Sequence, residues 1–467
     1  MSVDKRAARA FRKIVGRKNV LTAAADMLLY GYDSSTVVGY PDAVIFPHST
    51  EEVSRTVRVC AERGIPFVAR GAGTDLSGGS APVQGGVVIV LTRMNRVLEI
   101  DVENQSAIVE AGVVNLDLQD LLKPHNLQFC PDPASQKVST VGGNVAENAG
   151  GPRCLKYGVT ANHVLGLTVV LPSGEVRRFG GKAIDYPGYD LVGLMVGSEG
   201  TLGIVTEAVL RLRPLPEDVQ TVLAIFETLE DAGEAVTRII AKRIIPAAME
   251  IMDRNTIGAV EASFPSGLPL DVEAVLLIEL DGLREALDRQ AGECAQICRD
   301  LRARQVQVGR TPEEREQLWS ARRSAYGATA RLSAGILVND ATVPRSQIPE
   351  VLRKIQGIED RHGLRIAKLF HAGDGNLHCN ILYNRNEPDE FERAETATEE
   401  IFLVCAEAGG TITGEHGVGA EKARFMRLLY SHNDIEAQRK LKSVFDPANL
   451  SNPGKVFPEI DAMGTET

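Results

Sequence analysis

The seven cysteines of this 467-residue chain include no C-x-x-C pair and are odd in number. The sequence therefore carries neither a disulfide framework nor the cysteine set of an iron–sulfur cluster. A surplus of positive charge is also missing. The chain has 51 Lys and Arg against 62 Asp and Glu, and its net charge of −11 excludes a nucleic-acid face, which needs basic residues concentrated on one surface. No stretch approaches the roughly 20 apolar residues of a membrane span, and the start lacks the apolar core of a signal peptide. From these absences a cytoplasmic protein in a reducing setting is expected. The N-terminal K-R-A-A-R-A-F-R-K is a local exception in charge. It reads as a solvated helix end, its sharper alternative being a weak peripheral contact with a membrane or partner. Cys294 and Cys298, four apart on an apparent helix, read as core filling.

What is present is ordinary for a soluble globular protein: 44% hydrophobic and 24% charged residues. The length exceeds what one core usually supports, so two domains are expected with room for a buried cofactor. Residues 1–40 read as a helical segment, and 41–218 as a mixed α+β domain. There S-T-E-E opens a helix with a capping box of Ser49 and Glu52, and Pro172 to Glu175 turns a hairpin. Strand–helix–strand units follow over 219–424, after a linker at Pro214 and Pro216. Helices are expected over 425–467.

Three glycine-rich polar blocks carry the first chemistry. The loop Arg70 to Ser80 has glycines at 71, 73, 78 and 79, which let backbone N–H groups approach a pyrophosphate. It lacks the third glycine of a Rossmann fingerprint and the G-K-[ST] of a Walker loop. The second block runs from Pro131 to Arg153 and the third, G-S-E-G-T-L-G-I-V-T-E, from Gly197 to Glu207. Small hydrogen-bonding residues spaced by glycine suit a backbone wrapped around a large polar ligand. Farther on, H-A-G-D-G-N-L-H sets His371 and His378 around a glycine turn. If they end neighbouring strands, their side chains lie opposite each other and converge on one ion, zinc or else iron or manganese; the alternative is a plain turn with histidines at strand ends. Glu415 and His416 are adjacent, so in extended backbone they point opposite ways and take separate roles.

The blocks R-G-A-G-T-D-L-S-G-G, T-V-G-G-N-V-A-E-N-A-G-G-P-R-C-L-K-Y-G-V and G-S-E-G-T-L-G-I-V-T-E resemble the FAD-binding domain of vanillyl-alcohol oxidase/PCMH-type flavoproteins. H-A-G-D-G-N-L-H, G-E-H-G-V-G and F-D-P-A-N-L-S-N-P-G-K are similar to the FAD-linked 2-hydroxy-acid dehydrogenases, the group of the glycolate oxidase catalytic subunit and D-lactate dehydrogenase. The resemblance implies a PCMH-type FAD-binding domain plus a ferredoxin-like α/β cap. It implies FAD contacts at Arg70, Gly71, Ala72, Gly73, Thr74, Asp75, Leu76, Ser77 and Gly78; at Pro131, Asp132, Ser139, Thr140, Gly142, Gly143, Asn144, Asn148, Gly150 and Gly151; and at Glu199, Gly200, Gly203, Ile204, Val205 and Asn452. The FAD is expected to be noncovalent, because Thr74 stands where some relatives carry a tethering histidine.

The same resemblance makes His371, His378 and Glu415 ligands of a divalent metal, zinc first, and His416 the catalytic base. It makes Arg322 the clamp on a substrate carboxylate, with Tyr326 one helical turn on, and Asn376 a supporting or substrate contact. Arg323 reads as a surface residue. The implied reaction is oxidation of a glycolate- or D-lactate-type 2-hydroxy acid, with electrons leaving to an iron–sulfur or electron-transfer-flavoprotein partner. A D-2-hydroxyglutarate-like dehydrogenase and a non-catalytic electron-transfer subunit are the alternatives. The lysine that some diacid enzymes carry is absent from Leu337, Val338 and Asn339.

Overall fold

A computed structural model describes residues 3–183 and 186–459, which fall into two compact units. The first comprises the chain up to Gly150, Gly158–Leu215 and the chain from Glu415; the second comprises Gly151–Tyr157 and Pro216–Gly414. The passage from one to the other thus falls within the two-proline stretch at Leu215/Pro216. The short segment Gly151–Tyr157 packs with the second unit, and the chain rejoins the first at Glu415.

In the first unit, β1 (Val20–Leu21), β2 (Ala43–Ile45), β3 (Phe67–Arg70) and β4 (Val87–Val90) form a sheet in the order β1-β2-β4-β3, with the last three strands parallel. Such strands are covered on both sides and read as unbroken apolar runs, as V-V-I-V does in β4. The connecting helix Thr50–Arg63 buries Val53, Val57 and Cys60. Its N-cap is Ser49, whose hydroxyl accepts from Glu52 N at 3.2 Å. The expected box closes one residue early, because the Glu52 carboxylate accepts from His48 N at 2.7 Å.

A second sheet of this unit contains β5 (Val97–Asp101), β6 (Ser106–Glu110), β8 (Val164–Val170), β9 (Val176–Gly180) and β10 (Ile204–Arg211) in the antiparallel order β5-β6-β10-β8-β9. A small ribbon pairs β7 (Leu127–Gln128) with β11 (Arg213–Pro214). The hairpin expected through Pro172 to Glu175 joins β8 to β9. The basic N-terminal helix, Lys5–Val15, buries Ala7, Phe11 and Val15 in the core of β2 and β4 while its charges face solvent. Its apolar stripe is thus used within the fold rather than offered to a membrane. Among the described residues no helix is long and apolar enough to cross a membrane.

The second unit is built on β12 (Asp218–Phe226), β13 (Ala248–Asp253), β14 (Ala274–Gly282) and β15 (Gln305–Gly309) in the order β15-β12-β14-β13. Helices Leu229–Ala241 and Arg284–Asp300 connect the first and second pairs, which makes two split βαβ crossovers, the ferredoxin-like arrangement. The sheet then continues antiparallel from β13 through β18 (Arg365–His371) and β19 (Asn376–Tyr383) to β16 (Gly335–Val338), with β17 (Ala341–Thr342) also on β19. Side chains alternate between its faces. One face carries Leu223, Met252, Val275, Leu277 and Leu369, packed with Ile257 and Val260 of helix Arg254–Ser263 and with Leu318, Ala321 and Ala325 of helix Pro312–Thr329. Cys294 and Cys298 lie fully buried on helix Arg284–Asp300, as core filling requires.

Candidate functional site

In the first unit the strand β3 stops at Arg70, and the glycine loop that follows is closed by its own side chains. Asp75 accepts from Gly79 N at 2.8 Å, and Arg70 donates to the Tyr32 carbonyl at 2.8 Å and to Ser80 Oγ at 3.1 Å. Thr140 caps helix Val141–Glu147, accepting from Gly143 N at 3.3 Å, and its Oγ1 lies so close to Gly71 that a Cβ there would overlap it. Asn148 ends the same helix in the left-handed conformation. Asn452 joins two of the blocks by donating to the carbonyls of Gly79 (2.8 Å) and Glu199 (2.7 Å). Gly150 ends the unit's first segment, while Gly151 falls in the second unit.

Glu199, expected as a cofactor contact, has a side chain committed within the protein. Its side chain accepts from Val418 N at 2.6 Å and Gly419 N at 2.7 Å, so it ties down the backbone just after His416. Burial pushes its carboxyl up to about 7 against those two bonds. Three further carboxylates lie near it. Burial together with Glu199 raises Glu147, and burial together with Asp75 pushes Asp33 up to about 7. Lys455 is buried among them, donating to the carbonyls of Gly78 and Ala81, and burial pulls its ammonium down to about 8. Glu415 and His416 do not diverge as extended backbone would require. The chain bends there, and His416 Nε2 lies 3.7 Å from Glu415 Oε1.

In the second unit, H-A-G-D-G-N is the turn between β18 and β19. The Asp374 carboxylate accepts from Asn376 N at 3.2 Å, and Gly375 N donates to the His371 carbonyl at 3.1 Å. Gly375 has φ +87°, and a Cβ on it would strike the Val343 carbonyl, so glycine is required. The register sets His371 opposite Asn376, and His378 opposite Leu369. The two histidines are therefore diagonal neighbours on one face rather than directly opposed, and their rings meet edge to face with centroids 5.0 Å apart.

On β13, Glu250 pairs directly with His371. Fully buried, it accepts from His371 Nδ1 at 2.7 Å through one oxygen and from Arg322 Nε at 2.6 Å through the other. Burial alone would raise this carboxyl, but Arg322 and His371 hold it below the ordinary value. Among the described residues, the hydrogen bonds of Arg322 stop at Nε. Tyr326, one turn on, is 40% exposed, and Arg323 pairs with Glu316 at the surface. Asp340 approaches His378 Nδ1 at 3.8 Å and accepts from Thr413 Oγ1 (2.7 Å) and Gly414 N (3.1 Å). Gly414 is the residue before Glu415, and its Cα lies against the Asn376 amide. Asn380, two residues beyond His378 on the same face of β19, is 1% exposed with neither amide atom hydrogen-bonded among the described residues.

Residues 41–180 match the family model of an FAD binding domain, and residues 215–456 that of the C-terminal domain of FAD linked oxidases. The glycolate oxidase subunit GlcD of Bacillus subtilis (strain 168) is 46% identical over 447 residues, covering 95% of each chain. The chain belongs to the FAD-linked oxidase family. A D-lactate dehydrogenase of Archaeoglobus fulgidus is 37% identical over 440 residues, covering 92% of this chain and 96% of that one. The solved structure of p-cresol methylhydroxylase with substrate bound superposes with a TM-score of 0.77 at 20% identity, covering 97% and 96%, which shows the PCMH-type fold. This FAD-linked oxidase is thus a PCMH-type FAD-binding domain joined to an FAD-oxidase C-terminal domain.

The residues of the first unit fit FAD. Ser77 Oγ, Ser139 Oγ and Asn144 Nδ2 are buried with no hydrogen-bond partner among the described residues, which is costly unless a polar ligand meets them. A cavity of about 430 Å³ opens beside Ala72 and Thr140, walled by Val97, Val113, Leu121 and Val138 with Asn95 and Asp117 as polar contacts. Apolar walls with a few polar groups suit a planar heterocycle. Glu250, Asp340, Asn380 and Lys455 were missed in the sequence. Glu250 did leave a signal, a lone charge inside the apolar A-M-E-I-M, and Lys455 closes the N-P-G-K already singled out.

Proposed function

We propose that this FAD-linked oxidase oxidises a small 2-hydroxy acid of the glycolate or D-lactate type to the 2-oxo acid. The observation that carries the reading is the polar end of one sheet face in the second unit, where Arg322, Glu250, His371, His378 and Asp340 gather beside the apolar layer of Leu223, Met252, Val275 and Leu277. A guanidinium beside imidazoles and a carboxylate suits a substrate bearing both a carboxylate and a hydroxyl. The names of the relatives point the same way, since glycolate and D-lactate are both 2-hydroxy acids.

When bound, FAD supplies the two-electron acceptor, and a divalent metal supplies the Lewis acid that acidifies the substrate hydroxyl. Arg322 holds the substrate carboxylate through its terminal nitrogens, its Nε being committed to Glu250. His371 and His378 offer two nitrogens to the metal, zinc first by the chemistry of the set. Glu415 adds a carboxylate, and Asp340 is a fourth candidate donor beside His378. His416 takes the hydroxyl proton, as an imidazole with an ordinary pKa near neutrality can. Glu199 holds the backbone after His416 by two N–H bonds. Electrons then pass to a separate acceptor, an iron–sulfur or electron-transfer-flavoprotein partner; the GlcD relative is itself named a subunit.

Anaerobic mixing with glycolate, D-lactate, L-lactate and D-2-hydroxyglutarate, with and without chelator, tests this directly. Flavin absorbance is expected to bleach with glycolate or D-lactate and to do so at least tenfold more slowly after chelation. No bleaching with any 2-hydroxy acid would overturn the reading, and bleaching insensitive to chelator would remove the metal from it.

A further inference from the structure

We propose that Glu250 is a positioning residue that fixes His371 and Arg322 together, so that metal affinity and carboxylate binding are set by one buried side chain. The inference rests on the reading above of those two residues and extends it. An ionised carboxylate only accepts hydrogen bonds. Because Glu250 Oε1 lies 2.7 Å from His371 Nδ1, the proton of the neutral ring sits on Nδ1 and the lone pair on Nε2, which makes Nε2 the ligating nitrogen. Because Oε2 lies 2.6 Å from Arg322 Nε, the guanidinium plane is fixed and its Nη1/Nη2 edge is the one left to meet an anion.

The strand register enforces this arrangement. Glu250 and His371 are direct cross-strand partners on β13 and β18, and Arg322 descends from helix Pro312–Thr329, whose Leu318, Ala321 and Ala325 pack on the same face. Two donors on one acceptor also compete, so a weaker hold on Arg322 leaves a stronger pull on the His371 N–H and a more basic ligand nitrogen.

Glu250→Gln is isosteric, so packing is preserved while the double acceptor is lost. Its amide can accept from one donor only, and if its NH2 faces His371 it forces the ring proton onto Nε2. The FAD-loaded protein, stripped with EDTA, is titrated with Zn(II) against a competing chelator dye, and KM and kcat for glycolate are read in a dye-coupled assay. Glu250→Gln is expected to bind Zn(II) 10- to 100-fold more weakly and to raise KM for glycolate. Glu279→Gln, another buried carboxylate of that sheet face bonded to Arg153 instead, is expected to stay within twofold of wild type in both. Wild-type Zn(II) affinity with wild-type KM in a folded Glu250→Gln would overturn the proposal.

Should that variant not fold, Arg322→Gln decides. Freed of its second donor, Glu250 should tighten Zn(II) binding at least threefold, and unchanged affinity would overturn the proposal. A wild-type protein that takes up no Zn(II) or Mn(II) would instead sink the metal reading of the site. Glu250 is then judged by its other bond: a raised glycolate Kd in Glu250→Gln, seen by flavin absorbance, upholds its hold on Arg322, and an unchanged Kd overturns it.

Discussion

Asp33 shows what a single buried carboxyl does to this fold. Its carboxylate accepts from Ser35 N at 2.9 Å and Ser35 Oγ at 2.6 Å, while burial and neighbouring Asp75 push it up to about 7. The folded chain therefore holds a proton that the unfolded chain has lost, and this contribution to stability falls as pH rises from about 4, the unfolded value, to about 7. Asp33→Asn keeps both Ser35 bonds and turns a donor toward Asp75. It is expected to stabilise the protein by on the order of 2 kcal/mol above pH 7 and by almost nothing below pH 4, measured by denaturant unfolding at both. A gain equal at the two pH values would show that charge is not the cause. None of this was legible in the sequence, because Asp33 and Asp75 are brought together only by the folding of the glycine loop. The loop itself was legible, since glycine spacing is local information. The same distinction separates His371 and His378, found from their motif, from Glu250, which lies 121 residues from His371 and reaches it by strand pairing alone.

At the scale of elements, the hairpin of β18 and β19 decides the second unit's chemistry. H-A-G-D-G-N-L-H raised two readings, a turn or a metal set; the structure has the turn, and the turn brings the two imidazoles onto one face, as the metal reading needs. Asp374 and Gly375 form the turn, and the pleat then places Asn376, His378 and Asn380 on the face that His371 shares. Expected direct opposition of the histidines became a diagonal because the turn sets the register, one step of which would move every one of these side chains to the other face. Gly375→Ala tests the dependence. With φ +87° and the Val343 carbonyl in the way, it is expected to cost at least about 2 kcal/mol and to lower the rate of flavin reduction by substrate at least tenfold, while the FAD content of the purified protein stays unchanged. Loss of FAD together with the rate would point to general unfolding instead. The strand–helix–strand units were readable from their alternating patterns, and the resemblance implied that they form a ferredoxin-like cap. That the sheet continues through G-I-L-V-N-D-A-T-V-P and R-I-A-K-L-F-H was readable as well, but the order in which β18, β19 and β16 join it was not, since sheet order follows from long-range pairing.

At the scale of the molecule, each unit has a hydrophobic core of its own, one set around β2, β4 and β10 and the other around β12, β14 and helix Pro312–Thr329. The expected FAD contacts other than Gly151 all belong to the first unit, as does the candidate donor Glu415, while His371, His378, Asp340 and Arg322 belong to the second. A ligand stabilises the part of a protein it binds by RT ln(1 + [L]/Kd), about 2.7 kcal/mol at one hundred times Kd. With His371, His378 and Asp340 in the second unit and Glu415 alone among the candidate donors in the first, FAD and metal should therefore act mainly on different unfolding events. Scanning calorimetry of protein stripped of both is expected to resolve two transitions, with added FAD raising one and added Zn(II) raising the other. The Glu250→Gln variant is expected to lose most of the Zn(II) shift while keeping the FAD shift whole. A single transition that both ligands raise alike would mean that the two cores unfold as one cooperative block, and that ligand occupancy at either is felt by the whole chain.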